Sequence, residues 1–414
     1  MLVVSNIRHV CGSDFFDLQA DVAAAPHIAD KQTLWFRLPA SLYDSSANIA
    51  NGFLAACVLP AMKMHQPLHV EGVVSKRLLS NMRTFMDIAS AWIPGLIKVE
   101  ITAAGTEENV RGGKAVGCFF SGGVDSFYSL MKHEAGPREG KTGEVSHLIF
   151  VKGFDVPLSK ESFADGVTAM VRDVCASCNK ASVIASTNLR VMLDRFLPWE
   201  WAHGSALGSV ALAMGPAFQS VLIPASYGYK ELFPYGSHPL LDPLFSTESL
   251  CIVHDGCECT RLEKIGRMMS SRVVLDHLRV CYQDISDGYN CGKCEKCLRT
   301  KVGLALSGAL QHCATFDHHI DHRIIRDLKL KKMMLPWWQE NYQALRARNG
   351  DRKLAKAVET CLRRSARLSG RSDTRRSARR LLRRAFHRLA ARLGLREQKR
   401  NGGGPDMGDA AIRF

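Results

Sequence analysis

Residues 115–126 read Ala115-Val-Gly-Cys-Phe-Phe120-Ser121-Gly122-Gly123-Val124-Asp125-Ser126. Residues 115–120 are an uninterrupted apolar run of strand length. Such a run fits a strand buried on both faces of a parallel sheet. Two adjacent glycines then permit a sharp turn and a close approach to the backbone. Asp125 stands where a following helix would start. A Gly-rich turn from strand to helix presents backbone N–H groups and the positive end of the helix dipole, which suits an anion such as phosphate. Ser121 and Ser126 add hydroxyl donors, and Asp125 is placed to hold Mg²⁺ beside the phosphates. The nearby Gly136–Thr142 segment imitates a Walker A loop but is one residue short, and it precedes a strand instead of following one.

Strand and helix patterns alternate on the C-terminal side of the loop. Residues 146–151, 182–185, 221–224 and 252–254 read as strands, and 162–175, 205–214 and 298–310 as helices. This alternation predicts an α/β fold with a parallel sheet. Residues 1–112 read as an extra N-terminal α/β domain, with strands at 2–9, 34–38 and 97–102 and helices at 48–64 and 75–91. Polar residues 104–114 read as the linker to a second domain at 113–335. His65 and His69 sit four apart, but Pro67 between them argues against a metal-binding helix, so they read as surface residues. The charge-free stretch 201–229 is long enough to span a membrane, yet Pro216, Gln219 and Pro224 divide it into a core helix and a core strand.

The 414 residues are 46% hydrophobic and 23% charged, which excludes a mainly disordered or collagen-like chain. The formal charge of +15 is concentrated: residues 352–400 hold 18 Lys and Arg against 3 Asp and Glu, leaving the rest neutral. Residues 336–414 therefore read as a basic C-terminal helix and tail. Leu381, Leu382, Ala385, Leu389 and Leu393 form an apolar stripe among arginines, a cationic amphipathic helix able to meet RNA, DNA or an anionic surface. The N-terminus carries no export signal, so the expectation is a cytoplasmic protein whose 14 cysteines serve metal or redox chemistry instead of a disulfide framework. A homodimer is compatible with this sequence.

The cysteines cluster. Cys281 and the run Cys291-Gly-Lys-Cys294-Glu-Lys-Cys297 give four thiolates able to converge tetrahedrally, and a closed set of four thiolates suits structural Zn²⁺. Iron–sulfur ligation is the alternative. Cys175-Ala-Ser-Cys178 and Cys257-Glu-Cys259 are paired thiols that could serve sulfur transfer.

Ser121-Gly-Gly-Val-Asp-Ser126 resembles the PP-loop (N-type) ATP pyrophosphatase family, whose signature is SGGxDS. With the cysteine run and Asn290, Leu298 and Arg299 around it, the chain is most similar to 7-cyano-7-deazaguanine synthase-like members over about residues 115–305. The resemblance implies a Rossmann-like, HUP-type sheet with a zinc module at 281–297. It also implies ATP held by Ser121, Gly122, Gly123, Val124, Asp125 and Ser126, and cleaved to AMP and pyrophosphate. Thr187 and Asn188, at the end of the third strand, are candidates to line the nucleotide site. Thr260-Arg-Leu-Glu263 lies where that family has a Thr-Lys-x-Glu-like segment, making Arg261 and Lys264 candidates to neutralise pyrophosphate. His203-Gly204 replaces an Arg-Asn pair, and the loop 235–243 replaces a Tyr-Pro-Asp-Cys-Arg run. These departures bear on the substrate, for which His203, His238 and Asp242 are the candidate contacts.

The expected activity is adenylation of a carboxylate or similar oxygen on a small molecule, followed by attack of ammonia or another amine. A tRNA sulfurtransferase and a non-catalytic nucleotide-binding subunit are the alternatives.

Overall fold

The strand of the opening stretch is sandwiched between two cores. Val116, Cys118 and Phe120 face one hydrophobic cluster and Phe119 the other. The computed structural model describes residues 1–25, 28–44, 50–108, 112–134, 143–283, 290–348 and 351–368. Its strands are β1 (Leu2–Cys11), β2 (Phe15–Ala24), β3 (Ile28–Pro39), β4 (Leu68–Ser75), β5 (Ile101–Glu107), β6 (Ala115–Phe119), β7 (His147–Lys152), β8 (Ala181–Thr187), β9 (Phe218–Pro224) and β10 (Cys251–Asp255). They form one sheet in the order β10-β9-β6-β7-β8-β3-β2-β1-β4-β5.

Strands β6 to β10 are all parallel. Counted from β6 as the first, they lie in the order 3-2-1-4-5 after relabelling by position, the doubly wound arrangement in which the chain reverses direction across the sheet beside its first strand. The helices Val124–Glu134 and Glu161–Ser177 pack on one face and Trp199–Ala213 on the other.

The first half of the sheet is built differently. β1, β2 and β3 are an antiparallel meander, and β4 and β5 add parallel to β1. β2 and β4 are absent from the sequence reading. β2 is a half-buried strand in which Phe16, Leu18, Ala20, Val22 and Ala24 enter the core while Asp17, Gln19 and Asp21 take the other face. Its Asp and Ala content hides it from propensity, and packing of the apolar face overrides that.

The boundary expected near residue 112 is no break in the structure. β3 pairs antiparallel with β8, Phe36 opposite Thr187. The helices Ala50–Met64 and Trp199–Ala213 pack together, with Ser205 Oγ donating to Ala55 O at 2.7 Å. Both are apolar all round, as befits helices buried between elements. Residues from both halves fill one hydrophobic cluster.

The segment from 336 onward also departs from the expected tail. The helix Leu335–Ala347 and a helix over residues 352–368 pack Trp338, Leu345, Leu354, Val358 and Cys361 against Leu298 and Val302. The cationic stripe at 378–393 and the Walker-like decoy at 136–142 lie outside the described residues. Residues 201–229 form the core helix and strand expected of them, and no described helix is long and apolar enough to cross a membrane.

Candidate functional site

The Gly-Gly turn leaves the end of β6 where β7 and β9 diverge, the crevice in which open α/β sheets bind ligands. Gly122 takes φ +76°, the left-handed region in which other residues are strained, so the turn favours glycine here. Its carbonyl accepts from Arg279 N at 2.8 Å. Ser126 Oγ donates to Gly123 O at 3.1 Å and accepts from Ser121 N at 3.4 Å, which closes the loop on itself. Beyond the loop lies a cavity of about 300 Å³. Ser121, Gly123, Val124, Asp125 and Ser126 are on its wall.

Asp125, in the first helical turn, is the centre of a charge cluster. Its Oδ2 accepts from Arg261 Nη1 at 3.0 Å, and Lys264 Nζ lies 3.6 Å from Oδ1. Burial raises the Asp125 carboxyl, but the charges of Arg261, Lys264 and Arg299 outweigh that and hold it below the usual carboxylate range. Arg261 and Lys264 share the helix Arg261–Met268, which opens with a capping box: Thr260 Oγ1 accepts from Glu263 N, and Glu263 Oε2 accepts from Thr260 N at 2.8 Å. Arg261 reaches the cavity wall. Lys264 does not. It is 1% exposed and donates to Ala225 O at 2.6 Å, so it holds Asp125 and the end of β9 from behind.

Four cations, Arg261, Arg279, Lys296 and Arg299, line the cavity beside two carboxylates, Asp125 and Asp155. Arg279 and Arg299 are almost wholly buried, and burial pulls both guanidinium pKa values down, that of Arg299 to about 10. They remain cations at neutral pH. The surplus of buried positive charge suits an anion.

Phe154, His203 and Tyr235 add an aromatic part to the lining. The rings of His203 and Tyr235 lie 4.7 Å apart. Burial lowers the His203 pKa, so its imidazole is neutral. Its Nδ1 lies 3.2 Å from Trp199 O, and a carbonyl can only accept, so Nδ1 carries the proton and Nε2 the lone pair. A Cβ on Gly204 would meet Gly236 O at 2.0 Å, so this glycine lets the loop carrying Tyr235 and Ser237 seat against the helix.

Two expected substrate contacts are corrected. His238 and Asp242 stand behind the wall and only Ser237 of the 237–242 stretch lines it. Asp242 is fully buried, with Oδ2 2.6 Å from both Ser237 Oγ and His254 Nδ1 and Oδ1 accepting from His238 N. His238 packs edge-on against Trp92. Thr187 and Asn188 are also off the cavity wall. Thr187 Oγ1 donates to Trp35 O at 2.6 Å. Asn188 accepts from Trp35 N through Oδ1 and donates to Thr33 O through Nδ2. Their polar groups are consumed in stitching β8 to β3.

The four expected metal ligands converge. Sulfurs of Cys281, Cys291, Cys294 and Cys297 lie within 4.8 Å of one another, with Cys281–Cys294 and Cys291–Cys297 at 3.8 Å. A tetrahedron with Zn–S bonds of about 2.3 Å has an edge of about 3.8 Å, so the set fits one metal ion. Cys294 caps the helix Glu295–Leu306 and Cys281 follows Arg279 by two residues. A metal here pins the stretch of chain carrying Arg279 to the helix carrying Lys296 and Arg299.

Sequence reasoning does not single out Arg279, Lys296 or Arg299 as site residues. They flank or lie within the cysteine run, and a module that docks beside an anion loop marks its own basic residues. Trp337 also lines the cavity and carries no sequence signal at all. Comparison with protein-family models, curated proteins and solved structures finds no match to this chain.

Proposed function

We propose that the protein cleaves ATP between its α and β phosphates and adenylates a carboxylate or similar oxygen of a small molecule, in the manner of PP-loop enzymes. The observation that carries this reading is Asp125 at the start of the helix after the Gly-Gly turn, in the crevice beside β6, ringed by Arg261, Lys264 and Arg299. The loop N–H groups and Arg261 bind and neutralise the departing pyrophosphate. Asp125 would hold Mg²⁺ there, supplying charge neutralisation, and its Oδ1 has no hydrogen-bond partner of its own. The substrate oxygen attacks the α-phosphorus as the bond to the bridging oxygen breaks. An amine then adds to the acyl carbon and AMP leaves, giving an amide, or a nitrile after a second activation. His203, which lines the same cavity and keeps its lone pair on Nε2, would accept the amine's proton. The four thiolates would hold Zn²⁺ in a closed site that stabilises and does not react.

No observation favours sulfur transfer. Cys175, Cys178, Cys257 and Cys259 are off the cavity wall, and burial pushes the thiols of Cys175 and Cys178 up to about 11 and 12, away from the thiolate a nucleophile needs. Incubation with ATP, ammonia and a panel of carboxylic acids, with nucleotides resolved by chromatography, tests the proposal. AMP and pyrophosphate dependent on one acid support it. ADP, or no cleavage with any acid, overturns it.

A further inference from the structure

The helix Leu335–Ala347 lies outside the stretch that resembles a known family, yet it reaches the cavity through Trp337. Trp337 is 8% exposed, and both faces of its ring are occupied. Tyr227 stacks on it at 4.5 Å and 10°, and the Arg299 guanidinium lies 3.8 Å from the ring centroid. Only the ring edge is left, and its indole N–H has no hydrogen-bond partner. The helix is anchored by the residues that follow this one. Trp338 Nε1 donates to Glu295 Oε1 at 2.8 Å, and Glu340 accepts from Thr260 Oγ1 and from Leu262 N, at the start of the Arg261 helix.

The same corner holds other unsatisfied donors. Arg279 is 6% exposed, and its Nε and Nη2 have no partner. Arg299 Nη1 and Arg261 Nε are likewise without one. The hydrogen bond from the Arg279 side chain is a long one, 3.5 Å from Nη1 to Ser121 O. Arg261 is paired with Asp125 and Arg299 with Glu295 at 3.2 Å, so what these side chains lack is acceptors for their remaining buried N–H donors, and one polyanion can supply several of them.

We propose that Arg279, Arg299 and the Trp337 indole form a polyphosphate cradle facing the Ser121–Ser126 loop, so that the C-terminal helix is a constituent of the nucleotide site. The cradle takes the β,γ-diphosphate portion of the nucleotide. This rests on the reading that the cavity accepts ATP. Trp337 contributes the N–H and, by its stacking, holds the Arg299 plane in place.

The test is calorimetric binding of inorganic tripolyphosphate and of AMP to the full chain. The wild type should bind tripolyphosphate. Trp337→Phe preserves the stacked ring and loses only the donor, and it should weaken tripolyphosphate about tenfold, the worth of one hydrogen bond to a charged group. Arg279→Gln should weaken it about 100-fold. AMP affinity should change less than about threefold in either variant, and thermal melts should confirm that both are folded. Wild-type tripolyphosphate binding by both folded variants overturns the cradle, as does a wild type that binds no tripolyphosphate. If Arg279→Gln fails to fold, Trp337→Phe decides alone. Variant-sensitive binding without AMP formation from ATP upholds the cradle and rejects adenylation.

Discussion

The first half of the sheet and the cavity beside the second half handle buried charge in opposite ways. In the first half, Asp17 pairs with Arg37 at 2.7 Å, and Asp21 receives Lys31 at 2.7 Å, Arg8 at 3.5 Å, Asn6 and Thr33. The hydrogen bond from Lys31, then that from Asn6, brings the Asp21 carboxyl down to about 2 against the cost of burial. These carboxylates are saturated by their own sheet face. At the cavity, Asp125, Arg261, Arg279 and Arg299 each keep a buried polar atom without a hydrogen bond. Saturated charge serves the fold, whereas unsaturated charge beside a cavity marks where a ligand belongs.

The largest expected effect is at the loop. Asp125→Asn should keep the fold, since Asn also suits a helix start. It should lower AMP formation by about 100-fold or more through lost metal and pyrophosphate handling. Wild-type AMP release by this variant would remove Asp125 from the chemistry and weaken that contrast.

Metal removal comes next. The purified protein should contain about one zinc per chain, and Cys294→Ser or chelation should lower the melting temperature by about 10 °C. A metal-free protein with an unchanged melt would sink the structural assignment.

The pair behind the aromatic wall gives a pH dependence. Burial favours a neutral His254 ring, but hydrogen bonds to Asp242 and Cys257 prevail and raise its pKa to about 9. A folded-state value above the ordinary 6.5 means that the pair's contribution is fully present below pH 6.5. It is then lost as pH rises through about 9. Stabilities from urea unfolding at about pH 6 and about pH 9.5 should differ by about 3 kcal/mol. His254→Gln should flatten that difference, and a flat wild-type profile would show that the pair is not ionised.

Asn188→Ala tests the seam between the halves. It should cost about 1–2 kcal/mol of stability and leave ATP affinity unchanged. A raised Kd for ATP at unaltered stability would return Asn188 to the nucleotide site.

The smallest effect is expected from the tail. Deleting residues 369–414 should leave AMP formation and melting temperature unchanged while removing salt-sensitive RNA binding. Deletion from 352 should instead unfold the C-terminal cluster, because Leu354, Val358 and Cys361 are part of it.

Short-range chemistry is legible without coordinates. The Ser121–Ser126 turn and the 291–297 cysteine run each act within a few residues, so residue type and spacing already specify what they can do. The alternation of strands and helices after residue 115 likewise indicates the parallel sheet. Strands β2 and β4 are not legible, because their apolar residues become a core face only when Ala50–Met64 packs over them. Thr187 and Asn188 have the place of ligand contacts at a strand end, and it is the pairing of β8 with β3 that claims their polar groups. Arg279 meets Ser121 across 158 residues of chain, and Trp337 meets Arg299 from a helix that reads as a tail. What a turn or a metal knot can bind is a local property of backbone geometry and donor atoms. Which charges are left unpaired beside a cavity depends on every element packed around it, and only the tertiary structure decides that.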